Sequence, residues 1–155
     1  MSSCDSGVSK EPDNQWLEEI VGTYKAVSIN RSDLPYQVFD GNHEVHDRVI
    51  LSLIEEHLRI THTSVQRYIL FRRRYYDNGI YQSEELNQDD PWEYNWTPNP
   101  VATSPYEHEA EGVGISEGFI FRFHSIVDNQ LVGEDPGYLD RITYLKCSDC
   151  TFPPW

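Results

Sequence analysis

The stretch "GFIFRFHSIVDNQLVGE", residues 118–134, contains the most strand-like and most apolar run of the chain. Every second residue from 119 to 123 is Phe, and this period of two predicts a β-strand with one phenyl face. Arg122 and His124 fall on the other face. Because several large aromatic side chains rarely face water together, we expect the phenyl rings to point into the core and the two polar residues to point away from it.

Most of the chain repeats this strand-and-turn pattern. Asp128-Asn129 predicts the turn that follows the opening strand, Asn78-Gly79 predicts a type I′ hairpin, and Glu55-Glu56 is interpreted as a further tight hairpin. An antiparallel meander of about eight strands removes its exposed edges by closing on itself. The sequence therefore predicts an all-β fold, a single up-and-down antiparallel β-barrel. The predicted strands cover 19–29, 47–54, 57–63, 66–76, 79–85, 113–127, 130–134 and 138–147.

The 155 residues are enough for one domain with a core of its own. Residues 1–14 read as a disordered leader or tether, residues 15–150 as the barrel domain, and 151–155 as a tail. A short helix is expected around residues 16–20. Residues 86–112 contain four prolines and are expected to form a long irregular loop.

The charge balance limits the function. Twelve Lys and Arg against 26 Asp and Glu give a net charge of −14, which argues against nucleic-acid binding. No apolar run is long enough for a spanning segment. No motif for a cofactor is present, and no metal site is predicted. The four histidines between residues 43 and 62 lack the spacing of metal ligands and are interpreted as surface residues.

Two stretches, "IVGTYKAVSINRSDLP" (20–35) and "LVGEDPGYLDRITYLKC" (131–147), resemble the first and last strands of lipocalin-like, calycin-type barrels, especially small bacterial lipoproteins of that type. Tyr24 stands where the family has Trp. The resemblance implies an enclosed cavity for a small, largely apolar ligand. It also implies that Arg141 packs over Tyr24 or Trp16 at the barrel bottom.

The cysteines leave two questions open. "MSSCDSG" (1–7) resembles the lipidated cysteine and tether of a lipoprotein, and a frayed terminus with an ordinary Cys4 is the alternative. A lipidated Cys4 would be a membrane tether and would imply a periplasmic or cell-surface location; otherwise the protein is expected to be soluble. "CSDC" (147–150) predicts a structural disulfide, either within this motif or to Cys4.

The strand "QRYILFRRRYY" (66–76) carries arginine on both faces, so at least one arginine is expected to point inward. A buried guanidinium requires an internal acid or a ligand carboxylate or phosphate. The leading hypothesis is that the barrel binds a small amphipathic or aromatic ligand, with an inward arginine as anion anchor. The candidate ligand-binding residues are Arg73, Phe71, Phe121, Arg122, His124, Trp92 and Trp96.

Two alternative functions remain open at this stage. The first is a small barrel enzyme of the isomerase, cyclase or lyase type, which would use acid–base residues in its cavity. The second is an acidic interaction or inhibitor module that acts through residues 86–112. The candidate catalytic residues of the enzyme alternative are His124, Tyr68, Glu117 and Tyr144.

Overall fold

The computed structural model of the protein describes residues 17–97, 109–114, 117–127, 129–135 and 140–155, with the backbone alone at 97 and 124–127. Residues 17–20 form a short helix, as expected. Strands run through most of the other described residues. They are β1 (Gly22–Ile29), β2 (Ser32–Asp33), β3 (Tyr36–Gly41), β4 (Arg48–Ile60), β5 (Ser64–Asp77), β6 (Ile80–Gln88), β7 (Trp92–Thr97), β8 (Glu109–Val113), β9 (Ile120–Val127), β10 (Gln130–Asp135) and β11 (Asp140–Lys146).

Eight of these strands close into an antiparallel barrel, which confirms the predicted fold class. The order around the barrel is β1, β4, β5, β7, β8, β9, β10, β11 and back to β1. Strand β1 closes the ring because it pairs on one side with β11, through Ala26 and Tyr144, and on the other side with β4, through Tyr24 and Leu58.

Strands β4 and β5 continue past the barrel wall. The first half of β4 pairs with β3, and the second half of β5 pairs with β6. Together β3, residues 48–53, residues 70–77 and β6 make a four-stranded sheet, which we call the extension. The short β2 pairs with the end of β1 beside it.

The predicted hairpin at Glu55-Glu56 is wrong, since residues 48–60 form one continuous strand. The pairing register shifts between Leu53 and Glu55, as at a β-bulge. The extra residue reverses the alternation of side chains, so that Leu53 before the bulge and Glu56 after it are both buried. The interrupted alternation resembled two separate strands in the sequence.

Two other turns follow the sequence closely. Asn78 and Gly79 have φ values of 51° and 77°, as a type I′ turn requires, and they connect β5 to β6. Asn129 has a φ of 64° between β9 and β10. A disulfide joins Cys147 to Cys150, so the internal one of the two predicted pairings is found.

Residues 86–112 are not irregular throughout, which corrects that expectation. They include the end of β6, the whole of β7 and most of β8, while residues 98–108 lie outside the described part of the chain. The prolines flank β7 rather than interrupt it. Its sequence "WEYNW" (92–96) has the same alternation of aromatic residues as the opening strand.

The aromatic residues of β7 meet those of β9 and Phe119, which directly precedes β9. Ring centroids lie 5.9 Å apart for Trp92 and Phe119, 5.7 Å for Tyr94 and Phe121, and 5.6 Å for Trp96 and Phe123. Strand β8 lies between them, and its buried Ala110 is paired with Trp96 on one side and Phe121 on the other. The small side chain leaves the space in which the larger rings make contact.

The predicted orientation of the opening strand is confirmed for Phe121, Phe123 and Arg122, while the side chain of His124 lies outside the described residues. The side chains of Phe121 and Phe123 are fully buried, whereas Arg122 is half-exposed and pairs with Glu109 on the neighbouring strand. Gly133 on β10 is required by this packing. A Cβ atom there would lie 2.6 Å from Cζ of Phe121 and 2.9 Å from Cε2 of Tyr144.

The packing that the family resemblance implied at the barrel bottom is not found. Arg141 is exposed, and its Nε lies 3.4 Å from Oε2 of Glu134. The cation over Tyr24 is Lys146, with Nζ 5.8 Å from the ring centroid. Trp16 lies outside the described residues.

Candidate functional site

A cluster of buried polar side chains lies inside the barrel, and we call it the buried polar cluster. Its members come from five different strands, namely β4, β5, β7, β10 and β11. Each takes an inward position on its strand, among the aromatic and aliphatic side chains of the core. The members are Glu56, Arg67, Tyr94, Asp135 and Tyr144.

Arg67 is the centre of this cluster and is only 4% exposed. Its Nε and Nη2 donate to the two carboxylate oxygens of Glu56 at 3.0 and 3.1 Å. Its Nη1 donates to the hydroxyl of Tyr94 at 3.2 Å and lies 3.4 Å from Oδ2 of Asp135. The hydroxyl of Tyr144 donates to Glu56. These contacts confirm the expected inward arginine and supply its acid from within the protein.

The environment shifts the pKa values of the cluster in a consistent way. Burial is the largest single effect and on its own lowers the pKa of Arg67, but the attraction of Glu56 together with the contributions of Tyr144 and Tyr94 outweighs it, and the net pKa lies well above the ordinary value. Burial, followed by the negative charge of Glu56, raises the pKa of Tyr144 well above its usual range. Burial also raises the pKa of Tyr94. The arginine is therefore charged and the phenols are neutral around physiological pH.

A cavity of about 310 Å³ opens above this cluster, between the barrel mouth and the extension. Arg67 and Asp135 lie at its barrel end, and Asp89 and Asp140 also line it. The rest of the wall is aliphatic and aromatic, contributed by β1, β3, β4, β5, β7 and β11. These residues are Ile29, Tyr36, Val38, Leu51, Leu53, Ile69, Phe71, Trp92 and Ile142.

The candidate ligand-binding residues are distributed unevenly around this cavity. Phe71 and Trp92 line it, and the ring of Phe121 lies beneath Arg67, with 4.7 Å between the guanidinium carbon and the ring centroid. Trp96 is not among the lining residues and donates from Nε1 to the carbonyl of Thr61 at 3.0 Å.

Arg73 lies further along the extension and donates from Nη1 to Asn87 at 2.6 Å. Arg122 belongs to the outer surface, where it pairs with Glu109. Neither arginine is among the residues that line the cavity. The inward arginine is Arg67, which the sequence placed in the same strand as Arg73 but did not single out.

The three candidate catalytic residues whose side chains are described, Tyr68, Glu117 and Tyr144, are not brought together. Tyr144 is buried inside the barrel, whereas Tyr68 is on the outer face, 5.5 Å from the ring of Phe152. Glu117 is exposed in the turn before β9. The side chain of His124 lies outside the described part of the chain.

The remaining histidines take part in local contacts. His46 contacts Asp77 at 3.1 Å, and His62 contacts Glu18 at 2.6 Å. His57 corrects the expectation of surface histidines, because it is only 8% exposed and packs edge-on against Trp155. Among the residues that are described, no group of three or more His, Cys, Asp or Glu side chains could hold a metal ion.

Sequence reasoning missed the acids of this site. Glu56 was assigned to a turn, although it lies two residues before the apolar Leu58 in β4 and therefore points to the same inward face. Asp135 was placed just after the predicted strand 130–134, although it follows Leu131 and Gly133 on the inward face of β10. Both could have been found by extending the strand alternation through the acidic residues.

No protein-family model matches the chain, and neither a curated protein nor a solved structure matches it. The closed eight-stranded barrel is compatible with the lipocalin-like resemblance of the sequence. Within the described ranges, no helix has the length and apolar character needed to cross a membrane.

Proposed function

We propose that the protein binds a small amphipathic or aromatic ligand in the cavity at the barrel mouth. The observation that carries this proposal is a cavity of about 310 Å³ with a mainly apolar wall and charged groups at defined positions. Ligand pockets commonly start at about 300 Å³, and they combine apolar walls with a few polar groups that orient the ligand.

The arrangement of polar residues favours binding over catalysis. Tyr68, Glu117 and Tyr144 do not share a cavity, and the hydroxyl of Tyr144 is already used by Glu56. The aromatic residues of β7 also favour it over the interaction-module alternative. Tyr94 is fully buried and Trp92 faces the cavity, so neither presents a free surface to a partner protein.

The proposal does not include an inward arginine as an anion anchor for the ligand, as the sequence had suggested. Arg67 is the arginine at the cavity, and its positive charge is compensated by Glu56 and Asp135. Its role in the proposal is to hold Phe121, Trp92 and the acids in place around the barrel end of the cavity, with its guanidinium carbon 5.6 Å from the ring centroid of Trp92.

The test is a titration with a neutral, environment-sensitive apolar dye, together with native mass spectrometry of freshly purified protein. The variant Val38→Trp narrows the cavity from a position that is 47% exposed, so folding should survive. Val27→Trp is the matched control at an exposed position of β1 away from the cavity. We expect saturable dye binding that Val38→Trp weakens at least about tenfold and Val27→Trp does not change. Equal binding by both variants, or none by the unmodified protein, overturns the proposal.

A further inference from the structure

The charges around the cavity are unbalanced. Among the described lining residues, Arg67 is the one permanent cation, against the three carboxylates of Asp89, Asp135 and Asp140. The formal charge of the lining is therefore −2, from +1 and −3, before Glu56 behind Arg67 is included. A cavity with an apolar wall concentrates such a field, because little water is present to screen it.

Arg67 does not offer its charge to a ligand. Three of its nitrogen atoms donate within the buried polar cluster, to Glu56, to Tyr94 and to Asp135. An anionic ligand would have to compete with Glu56 for these donors and would meet the carboxylate of Asp135 at the same place. Breaking a buried, hydrogen-bonded ion pair costs several kcal/mol, so an anion is disfavoured.

The two other acidic residues, Asp140 and Asp89, are positioned at the cavity by neutral groups. Asp140 accepts a hydrogen bond from Nδ2 of Asn30 at 2.9 Å, and the same amide group donates to the hydroxyl of Tyr36 at 3.0 Å. The backbone N–H of Asp89 donates to the carbonyl of Ile69 at 3.4 Å. The first contact holds the carboxylate of Asp140 and the second holds the backbone of Asp89, and neither brings a positive charge to the carboxylates.

The same wall contains three aromatic side chains, namely Tyr36, Phe71 and Trp92. Aromatic faces attract cations through their ring quadrupole, and this attraction is strongest where water is excluded. The aromatic residues are a second feature of the cavity, independent of the carboxylates, that favours a positive ligand. They also accommodate the apolar part of an amphipathic molecule.

We propose that the ligand is a cationic amphiphile, with an apolar or aromatic body and one amine or quaternary ammonium group. This inference rests on the proposed function and specifies its ligand class. The body occupies the aliphatic and aromatic wall, and the cationic group lies among Asp89, Asp135 and Asp140.

The experiment compares three ligands with one decyl chain and different head groups, each used below its micelle concentration. Decyltrimethylammonium is cationic, decyldimethylamine N-oxide is neutral overall, and decyl sulfate is anionic. Calorimetric titration at neutral pH should give the tightest binding for the ammonium, by at least about tenfold over the sulfate. Its affinity should fall as salt is added.

Variants distinguish binding of the ammonium in the cavity from its general attraction to a protein with a net charge of −14. Asp89→Asn and Asp140→Asn each remove one carboxylate from the cavity, and they do not disturb Arg67. Asp149→Asn removes the same charge from the disulfide loop after β11, at the opposite end of the barrel. The cavity variants should weaken the ammonium about three- to tenfold and leave the N-oxide unchanged, and Asp149→Asn should change neither.

The outcomes are distinct. If the sulfate binds as well as the ammonium, or if Asp149→Asn matches the cavity variants, the charge inference is overturned and the proposed function stands. The same holds if the neutral dye binds in the cavity but none of the three decyl ligands does. If neither the dye nor any decyl ligand binds, both the proposed function and the charge inference fail.

Discussion

Arg67 and Glu56 lie on adjacent strands inside the barrel and share two parallel hydrogen bonds of 3.0 and 3.1 Å. Both side chains are almost completely buried. The pair is diagonal, because Arg67 is directly opposite Leu58 in the register of β4 and β5. A buried charge in this position is tolerated only while its partner is present. Because Arg67 also lines the cavity, the pair lies between the barrel interior and the cavity above it.

Replacement of Arg67 alone should be strongly destabilising. Arg67→Met leaves the carboxylate of Glu56 buried without its counter-ion, and we expect the free energy of unfolding to fall by about 3–5 kcal/mol. The double variant Arg67→Met/Glu56→Leu removes both charges and should lose less than the sum of the single variants. Urea denaturation at neutral pH measures all three.

The matched control is the ion pair of Arg74 and Glu84 on the extension, where both side chains are 40% exposed. Arg74→Met removes an arginine from the same strand and should cost no more than about 1 kcal/mol. Similar losses for Arg67→Met and Arg74→Met would show that the buried pair does not contribute as described.

The hydroxyl of Tyr144 should have its own measurable contribution. Tyr144→Phe keeps the ring in the core but removes the hydrogen bond to Glu56. Because the acceptor is a buried carboxylate, we expect a loss of about 1.5–3 kcal/mol in the free energy of unfolding. Tyr68→Phe, on the outer face of the same barrel, is the comparison and should be nearly neutral. An equal effect of both changes would contradict the assigned hydrogen bond.

The protein should lose stability in alkaline solution above about pH 10. Burial raises the pKa of Tyr24 to about 12, and it also raises the pKa values of Tyr94 and Tyr144. The folded state therefore keeps these phenols protonated. The resulting stabilisation is complete below the ordinary tyrosine pKa, and it is lost as the pH rises from there through the folded-state values.

Near-ultraviolet absorbance of the phenolate checks this pH dependence. The buried tyrosines should ionise only together with the loss of folded structure. Ionisation of all the tyrosines near pH 10, with the fold intact by circular dichroism, would be inconsistent with the buried positions.

Ala110 should be unusually sensitive to an increase in size. Its side chain lies where Trp96 and Phe121 approach it from the two neighbouring strands. Ala110→Val adds two methyl groups in a residue type that favours strands, so the expected loss of about 1–3 kcal/mol reports overpacking and not strand propensity. Val113→Leu, at an exposed position of the same strand, should be close to neutral. Denaturant unfolding measures the free energy of unfolding of both variants. An Ala110→Val variant as stable as the unmodified protein would argue against the packing across β8.

The barrel strands could be predicted from the sequence where the alternation of inward and outward residues was uninterrupted. The phenyl face of β9 and the turns at Asn78 and Asn129 follow from residue type alone. The prediction failed at Glu55-Glu56 because a single bulge residue reverses the alternation, and local sequence does not distinguish that reversal from a turn.

The cavity could not be predicted from the sequence and was found only in the three-dimensional structure. Its wall combines residues that are up to 113 positions apart, from Ile29 to Ile142, and their proximity depends on barrel closure. Strand alternation predicted an inward arginine in β5, but it did not identify Arg67 or its partner Glu56. The acids at Asp89 and Asp140 lie at strand ends, where alternation carries no information.

The most direct test of a ligand-binding cavity is an isotope-filtered nuclear Overhauser experiment on the methyl-labelled protein with decyltrimethylammonium. We predict intermolecular signals from the decyl chain to the methyl groups of Ile29, Leu53 and Ile69, which line the cavity. Methyl groups on the outer face, such as those of Val27, should give none. Signals confined to Val27 and other outward methyl groups, or no intermolecular signals at saturating ligand, would contradict ligand binding in the cavity.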